Sequence, residues 1–145
     1  MTTDTTNHAT GQLVWRCDTC RQPITPLADG YLQVDHHDIA EYRRALAEWE
    51  QRVTDANPPG ALRVVSGTLL GERPNPAKWR VTCKSCDPDP EGASLYWFSL
   101  DRAATWPELT DWTAHLLEKN WLPQTNWRSV LYRVIANNPE KEHTP

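Results

Sequence analysis

Apolar residues recur at helical spacing in three stretches of the chain, and each stretch predicts an amphipathic helix. The first helix is predicted over about 39–54. Its apolar positions share one face and are Ile39, Tyr42, Leu46, Trp49 and Val53. Asp38 and Glu41 have the spacing of a capping box, which favours a helix start at this point. The opposite face is charged, so we expect it to lie in solvent.

Two more helices are predicted in the last third of the chain. One covers about 105–119 and begins with a capping box formed by Thr105 and Glu108. Its apolar stripe consists of Leu109, Trp112 and Leu116. Apolar residues recur at helical spacing directly after Thr125, which predicts the other helix. Threonine is a common N-cap residue, so Thr125 can cap this helix. These positions are Trp127, Val130, Leu131, Val134 and Ile135.

Short apolar runs bounded by turn residues predict β-strands. The four runs cover residues 13–16, 31–35, 78–82 and 95–100. The last run is the most aromatic, so we expect it to be the central strand of a small sheet. Residues 55–78 contain several prolines, which predicts either a small hairpin turning at Ser66-Gly67 or a mobile flap. Residues 1–11 and 137–145 are polar and are predicted to be disordered.

Two of the predicted strands lead into cysteine pairs of the same spacing, Cys17-x-x-Cys20 and Cys83-x-x-Cys86. Two such pairs can supply the four corners of a tetrahedral site, and thiolates are ligands that suit zinc. The chain has four cysteines, so none is left over. Closing the intervening loop costs on the order of 3–4 kcal/mol, whereas a structural zinc site contributes roughly 10–16 kcal/mol. We therefore predict one structural zinc ion, Zn²⁺, bound by all four thiolates.

Two other interpretations of the cysteines remain open, namely two disulfides and a redox dithiol. Disulfides require an oxidising compartment, but the first residues have no basic start and no apolar run, so we expect a cytoplasmic protein. A redox dithiol favours a helix N-terminus, whereas Cys20 leads into the turn Arg21-Gln22-Pro23. His36 and His37 could also complete or replace a zinc ligand.

Together these patterns predict an α+β fold. We expect a zinc-ribbon-like or treble-clef-like pair of knuckles, a small antiparallel sheet and about three helices. The metal would hold residues 13–35 against residues 79–100 in a single domain over 12–136. Residues 36–78 would then form an insertion that emerges from one side of this clamp.

Composition and charge limit the functions that the chain can have. Eight tryptophans predict contact surfaces, since some large indole rings should stay half exposed. No apolar run approaches the roughly 20 residues of a membrane span. The net charge of −4 would repel a polyanion, but residues 61–86 carry five basic residues against Glu72 alone. These candidate nucleic-acid contacts are Arg63, Arg73, Lys78, Arg80 and Lys84.

Two resemblances add expectations. Residues 112–121, with Cys-Asp-Pro-Asp-Pro at 86–90, resemble small zinc-ribbon-like proteins of actinobacteria and their phages, a group that implies no known activity. The sequence Val-Asp-His-His at 34–37 is similar to the core of HNH endonucleases, which often hold a structural zinc on two such cysteine pairs. That resemblance implies that His36 is the general base. The chain departs from the family after Cys86, where Asp-Pro-Asp-Pro stands instead of a helix with the nuclease metal ligands.

Three functions follow from these patterns. The first is a non-enzymatic, zinc-stabilised interaction module that binds a protein partner in a regulatory role. The second is nucleic-acid binding through the basic 61–86 segment, with exposed tryptophans as stacking surfaces. The third is an HNH-like, metal-dependent nuclease, or a degenerate relative, that uses His36.

Overall fold

The computed structural model of the chain describes residues 11–60, 62–87 and 95–139. The elements in chain order are β1 (Gly30–Asp35), α1 (His36–Asp55), α2 (Gly67–Gly71), β2 (Arg80–Cys83), β3 (Leu95–Ser99), α3 (Trp106–Leu117) and α4 (Trp127–Asn137). Short 3₁₀ turns lie at Leu27–Asp29, Leu100–Ala103 and Leu122–Gln124. The predicted disordered ends, apart from residues 11 and 137–139, lie outside the described residues.

The three strands form one antiparallel sheet in the order β2-β1-β3. The α+β class predicted from the sequence is confirmed. The expectation that β3 is central is wrong, because β1 lies between the other two strands. On β1, Leu32 and Val34 have no exposed surface, whereas on β3 only Phe98 is buried. Aromatic residues are frequent in strands because their side chains pack well on the surface of a sheet. An edge strand offers such a surface as well as a central strand does, so aromatic residues do not identify the central strand.

One face of the sheet packs against α3 and α4 to form the main core. Its sheet residues alternate along the strands, and they are Leu32, Val34, Val81 and Phe98. The helix residues buried in the same cluster include Leu109, Leu116, Val130 and Val134. Trp79 lies within this core, with its ring centroid 5.0 Å from that of Trp127 and 6.0 Å from that of Tyr96. The core therefore joins the sheet to both C-terminal helices.

The tryptophans divide into buried and partly buried sets, as the composition predicts. Those that are almost fully buried are Trp15, Trp49, Trp79 and Trp127. Each of these four donates its indole N–H to a carbonyl or hydroxyl oxygen at 2.6–3.2 Å. Those that keep partial exposure are Trp97, Trp106, Trp112 and Trp121.

Two helix starts differ from the sequence prediction because neighbouring elements fix them. β1 runs directly into α1, and Asp35 caps the helix by accepting a hydrogen bond from the backbone N–H of His37 at 2.8 Å. α4 is preceded by Asn126 at its N-cap position rather than by Thr125. The Thr125 hydroxyl is already used, since it accepts from the indole N–H of Trp79 and donates to the Leu122 carbonyl.

The predicted capping residue of α3 is confirmed, because the Thr105 hydroxyl accepts from the backbone N–H of Glu108 at 3.3 Å. At the end of α4, Ile135 is 53% exposed, so it does not belong to the buried stripe. Beyond that helix, the Asn138 side chain forms two hydrogen bonds with the backbone of Val14. The last helix is thereby attached to the start of the described chain.

The second half of α1 and the segment after it form a unit with its own internal contacts, which we call the arm (residues 49–60 and 62–73). The indole N–H of Trp49 donates to the Leu69 carbonyl at 2.6 Å. The Asn57 side chain forms hydrogen bonds of 2.8 and 2.9 Å with the backbone of Val64. The predicted hairpin at Ser66-Gly67 is wrong, because the Ser66 hydroxyl caps the short helix α2. None of the helices in the described ranges is both long and apolar enough to cross a membrane.

Candidate metal centre

The first cysteine pair lies on a tight turn rather than on a regular strand. The strand predicted over 13–16 is reduced to one isolated bridge between Arg16 and Pro23. The Arg21 N–H donates to the Cys17 carbonyl at 2.9 Å and closes the turn. Arg21 has a φ of 67°, in the left-handed region that glycine occupies at less cost than any other residue. We call residues 16–23 the first knuckle.

The second cysteine pair follows directly from β2, which ends at Cys83. The N–H groups of Cys86 and Asp87 both donate to the Cys83 carbonyl, at 3.0 and 3.1 Å. The Lys84 N–H donates to the Asp29 carbonyl at 2.7 Å, which attaches this turn to the start of β1. We call residues 83–87 the second knuckle.

Asp18 connects the first knuckle to the rest of the fold. Its backbone N–H donates to the Val81 carbonyl at 2.7 Å, and its Oδ2 accepts from the Val81 N–H at 2.8 Å. Its Oδ1 forms an ion pair with Arg133 on α4. This role of Asp18 was not predicted from the sequence. The available signal was a carboxylate between two cysteines, a position from which it can accept backbone N–H groups.

The four cysteine sulfurs converge on one point, as the paired spacing predicts. The Sγ atoms of Cys17, Cys20, Cys83 and Cys86 all lie within 4.8 Å of one another. None of them is in a disulfide. The Sγ atoms of Cys20 and Cys83, from opposite knuckles, are 3.9 Å apart. The four cysteines are therefore close enough to hold one metal ion.

The sulfur of Cys17 has the strongest set of backbone donors in the cluster. Burial opposes its ionisation, but N–H groups of Cys20, Cys83 and Thr19 point at it from 3.3–3.5 Å and lower its pKa. These donors come from both knuckles. The polypeptide thus places positive dipoles around a sulfur that must be a thiolate to bind metal.

In the absence of metal, the two cysteines of the second knuckle, Cys83 and Cys86, have very different pKa values. The Ser85 hydroxyl lies 3.3 Å from the Cys83 sulfur, and this contact together with Cys86 lowers the pKa of Cys83 to about 6. A hydrogen bond to Cys83 raises the pKa of Cys86 to about 12. Metal binding must displace the Cys86 proton, so acid should favour release of the metal.

His36 and His37 lie away from the cysteine cluster. Gly30 pairs with Cys83 at one end of β1, and His36 follows the other end, about 20 Å away at the rise of an extended strand. The His36 ring packs edge-on against Trp121 at 5.2 Å. Within the described ranges, the four cysteines are the only group of three or more potential ligands that could share a metal ion. The nuclease role of His36 stays a prediction.

The basic residues of the 61–86 segment are all exposed, but they are divided between distant parts of the fold. Arg63 and Arg73 belong to the arm, and Arg73 stacks over the Trp49 ring at 5.5 Å. Lys84 lies on the second knuckle, where its ammonium group is 3.7 Å from the Asp29 carboxylate. Arg80 begins β2, and Lys78 precedes it. Nucleic-acid binding by this set stays a prediction.

Comparison of the chain with protein-family models, curated proteins and solved structures gives no match. The resemblances to small actinobacterial and phage proteins and to HNH endonucleases therefore remain expectations from the sequence. The features of the chain that bear on its function are the cysteine cluster and the exposed surfaces of the fold.

Proposed function

We propose that the chain is a non-enzymatic, zinc-stabilised interaction module that binds a protein partner through the arm, in a regulatory role. The observation that carries this proposal is the convergence of four cysteine sulfurs from two distant knuckles. Such a centre stabilises a fold and leaves the surface of the inserted arm free to bind another molecule.

Zinc is the metal that the donor set fits best. Thiolates select soft or borderline metals, and two Cys-x-x-Cys pairs are typical of structural zinc. With zinc–sulfur bonds of about 2.3 Å, the sulfurs of a regular tetrahedron lie about 3.8 Å apart. The Cys20–Cys83 separation of 3.9 Å agrees with this value. Four protein thiolates leave no coordination position for water or substrate, which argues for a structural rather than a catalytic role.

Elemental analysis and cobalt substitution test the metal assignment. We expect one zinc ion per chain, and replacement by Co²⁺ should produce the thiolate charge-transfer bands of a tetrahedral sulfur site. Cys20→Ser should lose these bands. Thr19→Ala is the matched control, because Thr19 faces solvent and its contact with the centre is a backbone N–H. Purified protein with iron, or with no tightly bound metal, would contradict the assignment.

The arm supports protein binding because it holds large apolar side chains in solvent. The exposed ones are Leu62, Val64, Val65 and Leu70, with exposed fractions of 87%, 61%, 37% and 59%. Clusters of exposed apolar residues on a soluble protein mark interaction sites. Arg63 lies among these residues in the sequence, Arg73 follows them, and both arginines are exposed. We expect the partner to present an apolar groove bordered by acidic side chains.

A comparison of three baits tests this proposal in the native host extract. The baits are the wild-type chain, the double variant Leu62→Ser/Leu70→Ser and the control Leu117→Ser. Leu117 is 69% exposed but lies on α3, outside the arm. We expect wild type and control to capture the same protein and the double variant to lose it, with unchanged circular dichroism. Equal capture by all three baits would show that the arm is not the binding surface.

A further inference from the structure

A cavity with a volume of about 240 Å³ lies between the first knuckle, β2 and α4. Its apolar floor consists of side chains from the main core, Trp15, Val81, Val130 and Val134. Its charged lining consists of Arg16, Arg21, Arg133 and Asp18. Three arginines therefore contribute to the lining beside an apolar base, next to the first knuckle, on a chain whose net charge is −4.

The charges of this lining are not balanced. Three arginines against one aspartate give these four side chains a net charge of +2, and the metal centre reaches the cavity through Cys17 alone. Asp18 uses Oδ1 for Arg133 and Oδ2 for the N–H of Val81, so both of its oxygens are engaged. Among the residues that the structure describes, Arg16 and Arg21 form no ion pair. Arg16 makes only a 3.4 Å contact with the Arg21 carbonyl.

The backbone at this site is also unusual. Arg21 occupies the left-handed region at φ 67°, although glycine would avoid the steric cost at that position. The conformation turns the chain so that Arg21 and Arg16 both line the same cavity. Two arginines that form no ion pair and line one cavity suit an anionic ligand.

We propose that this cavity binds a phosphate group, either free or carried as a monoester on a small molecule. A phosphate monoester has a charge of about −1.5 to −2 at neutral pH, which is opposite in sign to that of the three arginines. Arginine forks form paired, charge-assisted hydrogen bonds with phosphate oxygens. The cavity is smaller than the roughly 300–1,000 Å³ of typical small-molecule pockets, so it suits a phosphate group rather than a whole nucleotide.

A different role for the same arginines has to be distinguished. A zinc ion with four thiolates carries a net charge of −2, and nearby guanidinium groups could balance it. Cys17 is one of the residues that line the cavity. In that role the arginines would raise the affinity for zinc and would not bind phosphate in a saturable way. Measurement of both affinities separates the two roles.

Titration calorimetry on the zinc-loaded, full-length chain tests the proposal, with chloride used to hold the ionic strength constant. The ligands are inorganic phosphate, phenyl phosphate and benzoate. We expect saturable binding of phenyl phosphate and much weaker binding of benzoate, which has a similar ring but carries a single charge. Binding of inorganic phosphate as tight as that of phenyl phosphate would identify free phosphate as the ligand, and tighter binding of phenyl phosphate would identify a monoester.

Arginine variants locate the binding. Arg16→Gln and Arg21→Asn should each weaken phosphate binding by about tenfold, the effect of losing a hydrogen bond to a charged group. Asparagine is chosen at position 21 because it tolerates the left-handed region. Arg128→Gln is the control, since Arg128 is exposed on α4, outside the cavity lining, and its guanidinium lies over the Tyr132 ring. It should bind phosphate as wild type does.

Four results would overturn the proposal. They are the absence of saturable phosphate binding, an equal effect of Arg128→Gln, benzoate binding as tight as that of phenyl phosphate, and a loss of zinc affinity in Arg16→Gln without a change in phosphate binding. None of these results bears on the arm, so the proposal can fail while the interaction-module function stands. Conversely, failure of the bait experiment leaves the phosphate site intact.

Discussion

Trp79 and Trp49 show how differently the body of the protein and the arm are held together. Both indole rings are almost fully buried, and both donate their N–H to an oxygen. Trp79 contacts four aromatic rings, contributed by Tyr96, Phe98, Trp121 and Trp127. Trp49 has the Leu69 carbonyl on one side and the exposed Arg73 over its face. Two equally buried tryptophans can therefore contribute unequally to the free energy of global unfolding.

The connections of the two regions differ in the same way. In the body, the cysteine cluster and Asp18 join the first knuckle to β2 and α4. In the arm, the main connections are the Asn57–Val64 hydrogen bonds and the Arg52–Glu72 ion pair at 2.7 Å. That ion pair is about half exposed, so it contributes no more than about 1 kcal/mol. The comparison indicates that the body unfolds as one unit, whereas the arm can open locally.

The largest effect is expected from loss of a cysteine. Cys17→Ser or Cys86→Ser removes one of the four proposed zinc ligands together with the connection between the knuckles, and a structural zinc site contributes roughly 10–16 kcal/mol. We expect a poorly folded chain without a cooperative melting transition, measured by circular dichroism. Leu62→Ser in the arm is the contrasting variant and should melt as wild type does. Serine variants that melt like wild type without added metal would refute the metal-centred body.

The two buried tryptophans give the next largest effect. Trp79→Ala should destabilise the whole body by about 3–5 kcal/mol, because four aromatic neighbours lose their packing. Trp49→Ala should mainly increase local opening of the arm, because Trp49 contacts Leu69 and Arg73 there. Hydrogen exchange measures the difference: Trp49→Ala should speed exchange in 62–73 and leave β1 protected. If Trp49→Ala exposed β1 as much as Trp79→Ala does, the two regions would form a single cooperative unit.

A smaller difference in stability is expected between alanine substitutions at Gly30 in the body and at Gly67 in the arm. A Cβ added at Gly30 would lie 2.6 Å from Leu100 Cδ1 and 2.8 Å from Ile24 Cγ2, and both of these side chains are buried. Gly30→Ala should therefore cost about 1–3 kcal/mol in denaturant unfolding. Gly67 in the arm has open space around it, so Gly67→Ala should be close to neutral. Similar losses at both positions would contradict this account of the packing.

Arg21→Gly is expected to have the smallest effect, with the opposite sign. Glycine relieves the left-handed backbone at φ 67°, which should stabilise the zinc-loaded chain by about 1 kcal/mol in thermal unfolding. Gln22→Gly at the neighbouring exposed position is the control. It has no positive φ to relieve and should be neutral or slightly destabilising. A loss of stability in Arg21→Gly would show that the arginine side chain outweighs the backbone strain.

The cysteine cluster and the apolar faces of the long helices were predictable because each depends on short sequence spacing. A Cys-x-x-Cys pair directs both sulfurs to one point by local geometry, and thiolates favour one class of metal. In the same way, helical periodicity places Ile39, Tyr42, Trp49 and Val53 on one face, and all four are buried. Both signals extend over only a few turns of chain, so they do not require knowledge of the tertiary fold.

The tertiary structure alone decided the features that join distant parts of the sequence. The contact between Trp79 and Thr125, 46 residues apart, occupies the hydroxyl that would otherwise cap α4. The central position of β1 depends on pairing with strands that follow it by 50 and 65 residues at their first positions. Close approach of Ile24 and Leu100 explains why glycine is required at position 30. Periodicity reports what lies within a few residues, whereas these features depend on which surfaces meet after the chain has folded.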